Sequence, residues 1–226
     1  MNWFFHRKLS PEAEAYLDAT PTRLSKNRAL DELRFIIIDA ETTGFDVNRD
    51  RLLSLAAVPV HASEINIANV RSWLVFQSDS EVTDSARVHG ILPSDTRSGQ
   101  PESQVIGELL PLLHGAVVVG HHIHFDAALI DRALRRRFSV GLRNRLLDTA
   151  ELAQITVDAF ARTGYANQRP PTLDEICSHL EIATMERHTA PGDAFTTAEL
   201  FLLLCARLRQ QLKRPLLVGD LPFKDR

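Results

Sequence analysis

The chain has 226 residues, of which 44% are hydrophobic and 24% charged, and its formal net charge at pH 7 is −3. This length and composition exclude a disordered polymer and favour one α/β domain with a sizeable core. The small net charge excludes a globally basic nucleic-acid-binding protein, although a local basic patch is compatible with it. Cys177 and Cys205 lie in apolar helical patterns without metal-ligand spacing, and no apolar run is long enough to span a bilayer. We therefore expect a soluble cytoplasmic protein with no membrane association.

Residues 1–33 are interpreted as an N-terminal helical extension. Two short helices are predicted in it, over residues 11–18 and 22–33. An aromatic cluster of Trp3, Phe4 and Phe5 precedes them and is expected to pack on the main domain, because exposed apolar patches are uncommon on soluble proteins. The main domain is predicted over residues 34–213, and residues 214–226 are expected to form a loosely ordered tail.

The main chemical signal is the stretch FIIIDAETTG, residues 35–44. Its four consecutive apolar residues predict a strand buried on both faces. Asp39 and Glu41 follow two residues apart, so both carboxylates leave the strand on the same side. Adjacent carboxylates resist ionising together unless a cation neutralises them, and oxygen-rich clusters suit Mg²⁺ or Mn²⁺. The alternative is a solvated strand end, and for an isolated Asp-x-Glu it is the better interpretation.

Further elements follow in an order typical of an α/β domain. Residues 51–61 and 65–76 are predicted strands that complete an antiparallel meander with the first one. A helix opens at Pro101, and the apolar run AVVVG over residues 116–120 predicts a second buried strand. Asp126 lies in the first turn of the next predicted helix, where it can reach the acidic pair.

The last third of the chain contributes another acidic position. Residues 146–149 predict a short strand that leads into a helix, and Thr172 is a predicted helix cap. Asp193 is expected to begin a long amphipathic helix over residues 194–213, and His188 lies in the loop before it. Singly, each of these residues is better interpreted as a cap or a surface residue.

Two other groups of residues are open to more than one interpretation. A cluster of arginines on or just after the Asp126 helix fits a solvated helix face and a phosphate track equally well; it comprises Arg132, Arg135, Arg136, Arg137, Arg143 and Arg145. The histidines of HHIHFD, residues 121–126, lack the supporting ligands of a zinc site, which favours core packing or phosphate contact.

Taken together, the acidic positions resemble the DEDD exonuclease superfamily in its histidine-containing branch, which includes the epsilon proofreading subunits of bacterial DNA polymerase III. The resemblance is carried by DAETTG (39–44), HHIHFD (121–126) and HTAPGDA (188–194), which occur in the family's order. Smaller similarities at residues 88–91, 147–149 and 172–174 extend it over roughly residues 34–208. His122 stands where the family commonly has asparagine.

The resemblance implies a ribonuclease H-like fold, an α/β structure with a mixed five-stranded sheet whose first three strands are antiparallel and whose faces are covered by helices. It implies two Mg²⁺ or Mn²⁺ ions and His188 as general base, since a neutral imidazole can accept a proton from water. The implied metal ligands, which also count as catalytic, are Asp39, Glu41, Asp126 and Asp193. The implied substrate-binding residues are Thr42, Thr43, His89 and His122, although turn chemistry explains the two threonines equally well.

The implied activity is metal-dependent 3′→5′ hydrolysis at the end of single-stranded or frayed DNA, releasing nucleoside monophosphates in replication proofreading or repair. A DNA polymerase subunit is a candidate partner. Two alternatives stay open: a 3′→5′ exoribonuclease, because the residues that distinguish a 2′-hydroxyl cannot be located from sequence, and a non-catalytic scaffold that binds nucleic-acid ends.

Overall fold

The computed structural model describes residues 8–78, 85–162 and 168–223. Its strands are β1 Arg34–Thr42, β2 Leu52–His61, β3 Glu64–Ile65, β4 Arg71–Leu74, β5 Ala116–Gly120 and β6 Leu146–Asp148. The α-helices in the described residues are α1 Pro11–Ala19, α2 Ala86–His89, α3 Pro93–Thr96, α4 Glu102–Leu113, α5 His124–Phe138, α6 Thr149–Thr156, α7 Leu173–Leu180 and α8 Ala190–Leu212. Among the described residues, no helix combines the length and the apolarity needed to cross a bilayer.

The strands form one mixed sheet in the order β3-β2-β1-β5-β6, and β4 also pairs with β2. Strand β2 runs antiparallel to β1, whereas β1, β5 and β6 are mutually parallel. The carboxyl ends of the three parallel strands therefore meet at one edge of the sheet, which we call the carboxyl edge. Ligands of open α/β sheets usually bind at this edge.

Strand β1 is buried on both faces, as its apolar run predicts. Phe35 and Ile37 face one core cluster, which also contains residues of α6, α7 and α8, and the rings of Phe35 and Phe201 lie 4.9 Å apart. Ile36 and Ile38 face the other cluster, which contains residues of α1, α4 and α5. The two clusters fix the position of β1, and with it the position of the residues at its end.

The predicted fold class is confirmed, but the sheet has six strands instead of five. The single strand expected over residues 65–76 is broken, because a 3₁₀ turn over Ile67–Asn69 separates β3 from β4. The Val70 N–H donates to the Ile67 carbonyl at 3.2 Å, so the backbone leaves the ladder at this point. Both short strands then pair independently with β2.

The helix predicted over residues 11–18 is confirmed as α1, whereas the prediction of a helix over residues 22–33 is wrong. Only a 3₁₀ turn, Leu30–Glu32, forms in the second segment. The backbone of residues 26–30 bonds instead to the far end of the chain: the Leu30 N–H donates to the Leu216 carbonyl at 2.9 Å, and the Val218 N–H donates to the Arg28 carbonyl at 3.0 Å.

The same pairing corrects the expectation of a loosely ordered tail. Leu216, Val218 and Leu221 are buried and belong to the core cluster that faces α8. The chain end up to residue 223 therefore packs against the domain. The aromatic residues Trp3, Phe4 and Phe5 lie outside the described residues, and the division into extension, domain and tail stays a prediction.

Tyr16 attaches α1 to the sheet through a buried polar network. Its hydroxyl donates to Asn144 Oδ1 at 2.6 Å and accepts from the Arg143 N–H, also at 2.6 Å. The Asn144 amide donates to the carbonyls of Leu113 and Ala116 at 2.7 and 2.8 Å. Neither Tyr16 nor Asn144 has an exposed side chain, so these bonds have no solvent substitute.

We expect Tyr16→Phe to lower the free energy of unfolding by about 1–3 kcal/mol, because it leaves a buried acceptor and a buried donor without partners. Urea denaturation followed by circular dichroism measures this change. Glu14→Gln, at an exposed position of the same helix, is the control and should stay within about 0.5 kcal/mol of the wild type. An equal effect of both substitutions would show that the network does not stabilise the fold.

Candidate active site at the carboxyl edge of the sheet

Three carboxylates from two distant segments converge at the carboxyl edge. Asp39 and Glu41 come from the end of β1, and Asp193 comes from the first turn of α8. One oxygen from each lies within 4.8 Å of an oxygen of the other two. Asp39 and Glu41 are half-buried, and Asp193 is 8% exposed, so this crowding occurs with little water to screen it.

Asp126 supplies a fourth carboxylate to the same edge. It is 8% exposed and lines, with Asp39 and Glu41, an open cleft of about 840 Å³. Only the first three carboxylates satisfy the mutual 4.8 Å separation. The sequence prediction that Asp126 lies beside the acidic pair is thus consistent with the structure, in which the carboxylates of Glu41 and Asp126 interact electrostatically.

The turn between β5 and α5 determines where Asp126 lies. At Gly120, a Cβ atom would stand 2.9 Å from the Ile38 carbonyl oxygen and 2.5 Å from Ile123 Cδ1, so only glycine allows this close approach. His122 then adopts a left-handed conformation, with φ of 55°, and its N–H donates to Asp148 Oδ1 at 3.1 Å. Helix α5 starts immediately afterwards, which brings its first turn over the end of β1.

Burial and neighbouring carboxylates raise the pKa of Asp39, Glu41 and Asp126. Burial raises the pKa of Asp39 well above its usual range, and the charges of Asp126, Asp193 and Glu41 add to the effect. Burial and Asp193 raise the pKa of Glu41 to about 7. Burial raises the pKa of Asp126 as well, with further contributions from Glu41 and Asp148. A desolvated group of several carboxylate oxygens is a donor set that fits hard divalent cations.

Arg187 is the cation that contacts this cluster. Its guanidinium donates to Asp193 Oδ1 through Nη1 and to Asp174 Oδ1 through Nε, the second bond being 2.5 Å long. Burial lowers the pKa of Arg187, but the bonds to the two carboxylates raise it on balance. The charge of Arg187 also lowers the pKa of Asp39 and of Glu41, although less than burial raises it.

Helix α8 begins earlier than predicted, at Ala190 instead of residue 194. The cause is Thr189, whose hydroxyl caps the helix by accepting from the Gly192 N–H at 3.2 Å. A Cβ atom at Gly192 would lie 2.4 Å from the carbonyl oxygens of Met185 and Glu186, so the preceding loop packs directly on the first turn. Asp193 is therefore a first-turn residue and not the helix cap that the sequence suggests.

His188 lies beside Asp193, but its side chain is exposed. The residue adopts a left-handed conformation with φ of 62°, and its N–H donates to Asp193 Oδ2 at 3.3 Å. Glu186 also has a positive φ, of 38°. Among the described residues, those that line the cleft do not include His188. Its role as general base stays a prediction.

The predicted substrate-binding threonines both line the cleft, and their hydroxyls are engaged within the loop. Thr42 Oγ1 donates to the Gly44 carbonyl at 2.8 Å. Thr43 Oγ1 donates to Asp50 Oδ1 at 2.6 Å and accepts from the Arg51 N–H at 3.1 Å. These bonds shape the turn after β1, and direct contact with a substrate stays a prediction for both residues.

The predicted histidines His89 and His122 also line the cleft. His89 is 7% exposed, and its Nδ1 accepts from the Ile91 N–H at 3.0 Å; its buried Nε2 has no hydrogen-bond partner in the described part of the chain. Burial lowers the pKa of His89. The ring of His122 is exposed and lies 4.4 Å from the ring of His121.

His121 has a structural role. Its Nδ1 lies 2.9 Å from Thr149 Oγ1 and its Nε2 lies 3.1 Å from the Pro171 carbonyl oxygen. Burial, reinforced by His122, lowers the pKa of His121 to about 3, so the ring stays neutral. Both ring nitrogens are engaged in the domain, as the core-packing interpretation of these histidines expects.

Three residues at the site were not predicted as functional. Arg187 carries no motif, and only its position beside His188 could have drawn attention to it. Asp148 accepts from the N–H groups of His122 and Ala150, so it holds the turn before α5. Phe45 is 89% exposed at the mouth of the cleft, with its ring 5.9 Å from that of Phe125. An aromatic residue directly after a polar turn was the available signal.

The chain is similar to several bacterial proteins. It is 30% identical over 182 residues to the 3′-5′ exonuclease DinG of Bacillus subtilis and 28% identical over 193 residues to the DNA polymerase III subunit epsilon of Aquifex aeolicus. These matches cover 80% and 85% of the chain. The chain spans only 18% of the Bacillus protein but 90% of the Aquifex subunit.

Solved structures show the same fold. Escherichia coli Exonuclease I in complex with a dT13 oligonucleotide matches 80% of the chain and 43% of its own length, with a TM-score of 0.66 and 18% sequence identity. The profile of the RNase_T exonuclease family matches residues 36–201, which include Asp39, Glu41, Asp126 and Asp193. The chain therefore belongs to the RNase_T exonuclease family.

Proposed function

We propose that this protein is a metal-dependent 3′→5′ exonuclease that releases nucleoside monophosphates from the 3′ end of single-stranded or frayed DNA. The observation that carries the proposal is the convergence of Asp39, Glu41 and Asp193, beside Asp126, at one edge of the sheet in a member of an exonuclease family. DNA is preferred over RNA because Exonuclease I was solved with a dT13 oligonucleotide and the Aquifex relative is a DNA polymerase III subunit.

The same four carboxylates are the proposed ligands of two Mg²⁺ or Mn²⁺ ions. Such ions, when bound, neutralise the charge that develops on a phosphodiester during an in-line displacement. The contribution of the chain is to hold the oxygen ligands in one place before the ions arrive. The apolar packing of β1 on both faces does this for Asp39 and Glu41, and the cap at Thr189 does it for Asp193.

His188 is the proposed general base that accepts a proton from the attacking water. Its side chain is exposed, so the loop before α8 has to turn the imidazole towards the cleft when substrate is bound. Arg187 and His188 are adjacent, and Arg187 holds Asp193. Release of Arg187 from Asp193 is thus coupled through the backbone to the orientation of His188.

Phe45 is proposed to stack on a base at the end of the substrate. Its ring is 89% exposed beside the carboxylates, so most of its surface is available to a substrate. Base stacking on aromatic side chains tolerates any sequence, as removal of nucleotides from an end requires.

A role in replication proofreading or repair, with a DNA polymerase subunit as partner, is supported by the similarity to the Aquifex subunit. The free buried cysteines Cys177 and Cys205 fit a reducing cytoplasm.

We expect the protein to shorten 5′-labelled single-stranded DNA from its 3′ end only when Mg²⁺ or Mn²⁺ is present. Asp39→Asn should lower the rate at least ~100-fold. Mutating a residue that only hydrogen-bonds to a metal ligand already costs up to about 100-fold, and Asp39 is a proposed ligand itself. His188→Gln should lower kcat by about 100-fold or more while the Mg²⁺-dependent rise in melting temperature is kept, because a proton acceptor is lost and the ligands are not. Electrophoresis of the products measures the rate.

His61→Gln, at an exposed position of β2, is the matched control and should behave as the wild type. An RNA of identical sequence, run in parallel, distinguishes the substrates: faster hydrolysis of RNA would replace the DNA assignment. No cleavage of either polymer by a folded protein that responds to Mg²⁺ would favour the scaffold alternative.

The contact between Arg187 and Asp193 predicts competition with the metal. Arg187→Ala should tighten apparent Mg²⁺ binding by up to about fivefold, because an ion pair of this kind contributes on the order of 1 kcal/mol and 1.4 kcal/mol corresponds to a tenfold change in affinity. Calorimetric titration with Mg²⁺ measures the affinity. Arg169→Ala, which removes an exposed pair with Glu175, serves as the control. Weaker Mg²⁺ binding by the Arg187 variant would contradict the competition.

The raised pKa of Glu41 predicts how stability depends on pH without metal. The folded state holds this proton more tightly than the unfolded state between pH 4.5 and about 7, so Glu41 lowers stability as the pH rises through this window. In EDTA, the melting temperature of Glu41→Gln relative to the wild type should therefore rise from pH 5 to pH 8. The lowered pKa of His121 has the opposite effect on how stability changes with pH. Because both proteins contain His121, comparing their melting temperatures cancels this contribution.

Thermal unfolding followed by circular dichroism measures the difference. Addition of Mg²⁺ should narrow it, since a bound cation favours the ionised carboxylate. Glu14→Gln on α1 is the control and should show no trend with pH. A difference between Glu41→Gln and the wild type that stays constant from pH 5 to pH 8 is the contradicting result.

A further inference from the structure

A second cavity, of about 760 Å³, lies away from the carboxyl edge, and we call it the basic pocket. Three segments form it: residues 22–26, residues 142–145 and residues 218–223. The first two precede β1 and β6, so the pocket is at the end of the sheet where the parallel strands begin. Strand β1 has nine residues and so eight intervals of about 3.3 Å, which separate this end from the carboxyl edge by ~26 Å.

The basic pocket is lined by several cations. Among the described residues, those that line it include four cations and no carboxylate; the cations are Arg23, Lys26, Arg143 and Arg145. The Arg143 guanidinium is half-buried and donates to the Leu17 carbonyl at 2.9 Å. Within the described residues, Arg23, Lys26 and Arg143 have no carboxylate at ion-pair distance. Holding like charges around a cavity is unfavourable unless an anion is present.

Within the part of the chain that the structure describes, several other arginines differ from Arg23 and Arg143 of the basic pocket in being paired with carboxylates. Between described residues, the following arginines form ion pairs with carboxylates at 3.3 Å or less: Arg28, Arg135, Arg136, Arg169, Arg187, Arg209 and Arg214. These pairs include Arg135 and Arg136 of α5, which sequence analysis left open as a phosphate track. Arg135 and Arg136 are thus neutralised by carboxylates within the fold, whereas Arg23, Lys26 and Arg143 of the basic pocket are not so paired in the described part of the chain.

The remaining wall of the basic pocket is apolar and partly aromatic. Leu142, Val218 and Leu221 are buried side chains of this wall. The half-buried ring of Phe223 completes it, and the Arg145 guanidinium lies 5.5 Å from the centre of this ring. A ligand that fills the pocket therefore meets both cations and apolar side chains, one of them aromatic. Its volume falls within the range of small-molecule sites, about 300–1,000 Å³.

We propose that the basic pocket binds a free nucleotide. The phosphate lies among Arg23, Lys26 and Arg143, since guanidinium and ammonium groups are the side chains that bind phosphate best. The base packs on the Phe223 side of the pocket, where aromatic and guanidinium groups form favourable stacking partners. The site is separate from the acidic cleft, whose carboxylates repel phosphate in the absence of metal.

Isothermal titration calorimetry of the full chain with dTMP and AMP, in EDTA, tests the proposal without any contribution from hydrolysis. We expect saturable binding of one nucleotide per chain and no comparable binding of thymidine or adenosine, which lack the phosphate. The double variant Arg23→Glu/Lys26→Glu should bind nucleotide at least ~10-fold more weakly, because two cations become anions. Both residues are exposed, so the fold is retained.

The control is Arg97→Glu/Lys213→Glu, which makes the same charge change at exposed positions elsewhere and should bind like the wild type. Equal weakening by both double variants would overturn the proposal in favour of unspecific attraction. Inorganic phosphate binding as tightly as dTMP would overturn the assignment of a nucleotide, as would tighter binding of an acidic peptide. The result is independent of the proposed exonuclease activity, because no catalytic residue is changed and no metal is present.

Discussion

The crowding of four carboxylates at the end of one strand is the constraint on which the rest of the structure depends. Ionised side chains repel one another most strongly where water is excluded, so they converge only if other interactions hold their backbones in place. Apolar packing on both faces of β1 fixes Asp39 and Glu41. Close approaches at Gly120 and Gly192 fix the starts of the helices that carry Asp126 and Asp193. Packing of the core thus stabilises an arrangement of carboxylates that is unfavourable by itself.

Features that depend on local sequence could be predicted. The apolar run before Asp39 identifies β1, and the Thr172 cap identifies α7, because each pattern fits only one backbone conformation. The segment over residues 22–33 shows where this reasoning fails. Its hydrogen bonds go to residues about 190 positions away, and no pattern within the segment reports a partner at that distance. The break between β3 and β4 was not predicted for a related reason, since two short strands and one long strand share the same apolar spacing.

The candidate site divides in the same way. The acidic residues could be named from sequence because the order of their motifs is informative, whereas the contact between Arg187 and Asp193 exists only in three dimensions. The left-handed backbone conformation of His188 could not be anticipated either. Electrostatics connects these two residues: the acidic cluster pairs with Arg187, and Arg187 belongs to the loop that carries the histidine.

The pairing between residues 26–30 and residues 216–219 has a consequence for how such a domain can be assembled into longer polypeptides. The two segments lie side by side at the end of the sheet where β1 begins, which is remote from the acidic cleft. A polypeptide spliced in through these segments therefore leaves the route of a nucleic-acid strand unobstructed. This topology suits a module that recurs inside larger proteins, and the matched region is indeed 18% of the Bacillus relative and 25% of the Rhodobacter capsulatus relative. The basic pocket, formed in part by residues 22–26 and 218–223, lies at this same end of the sheet.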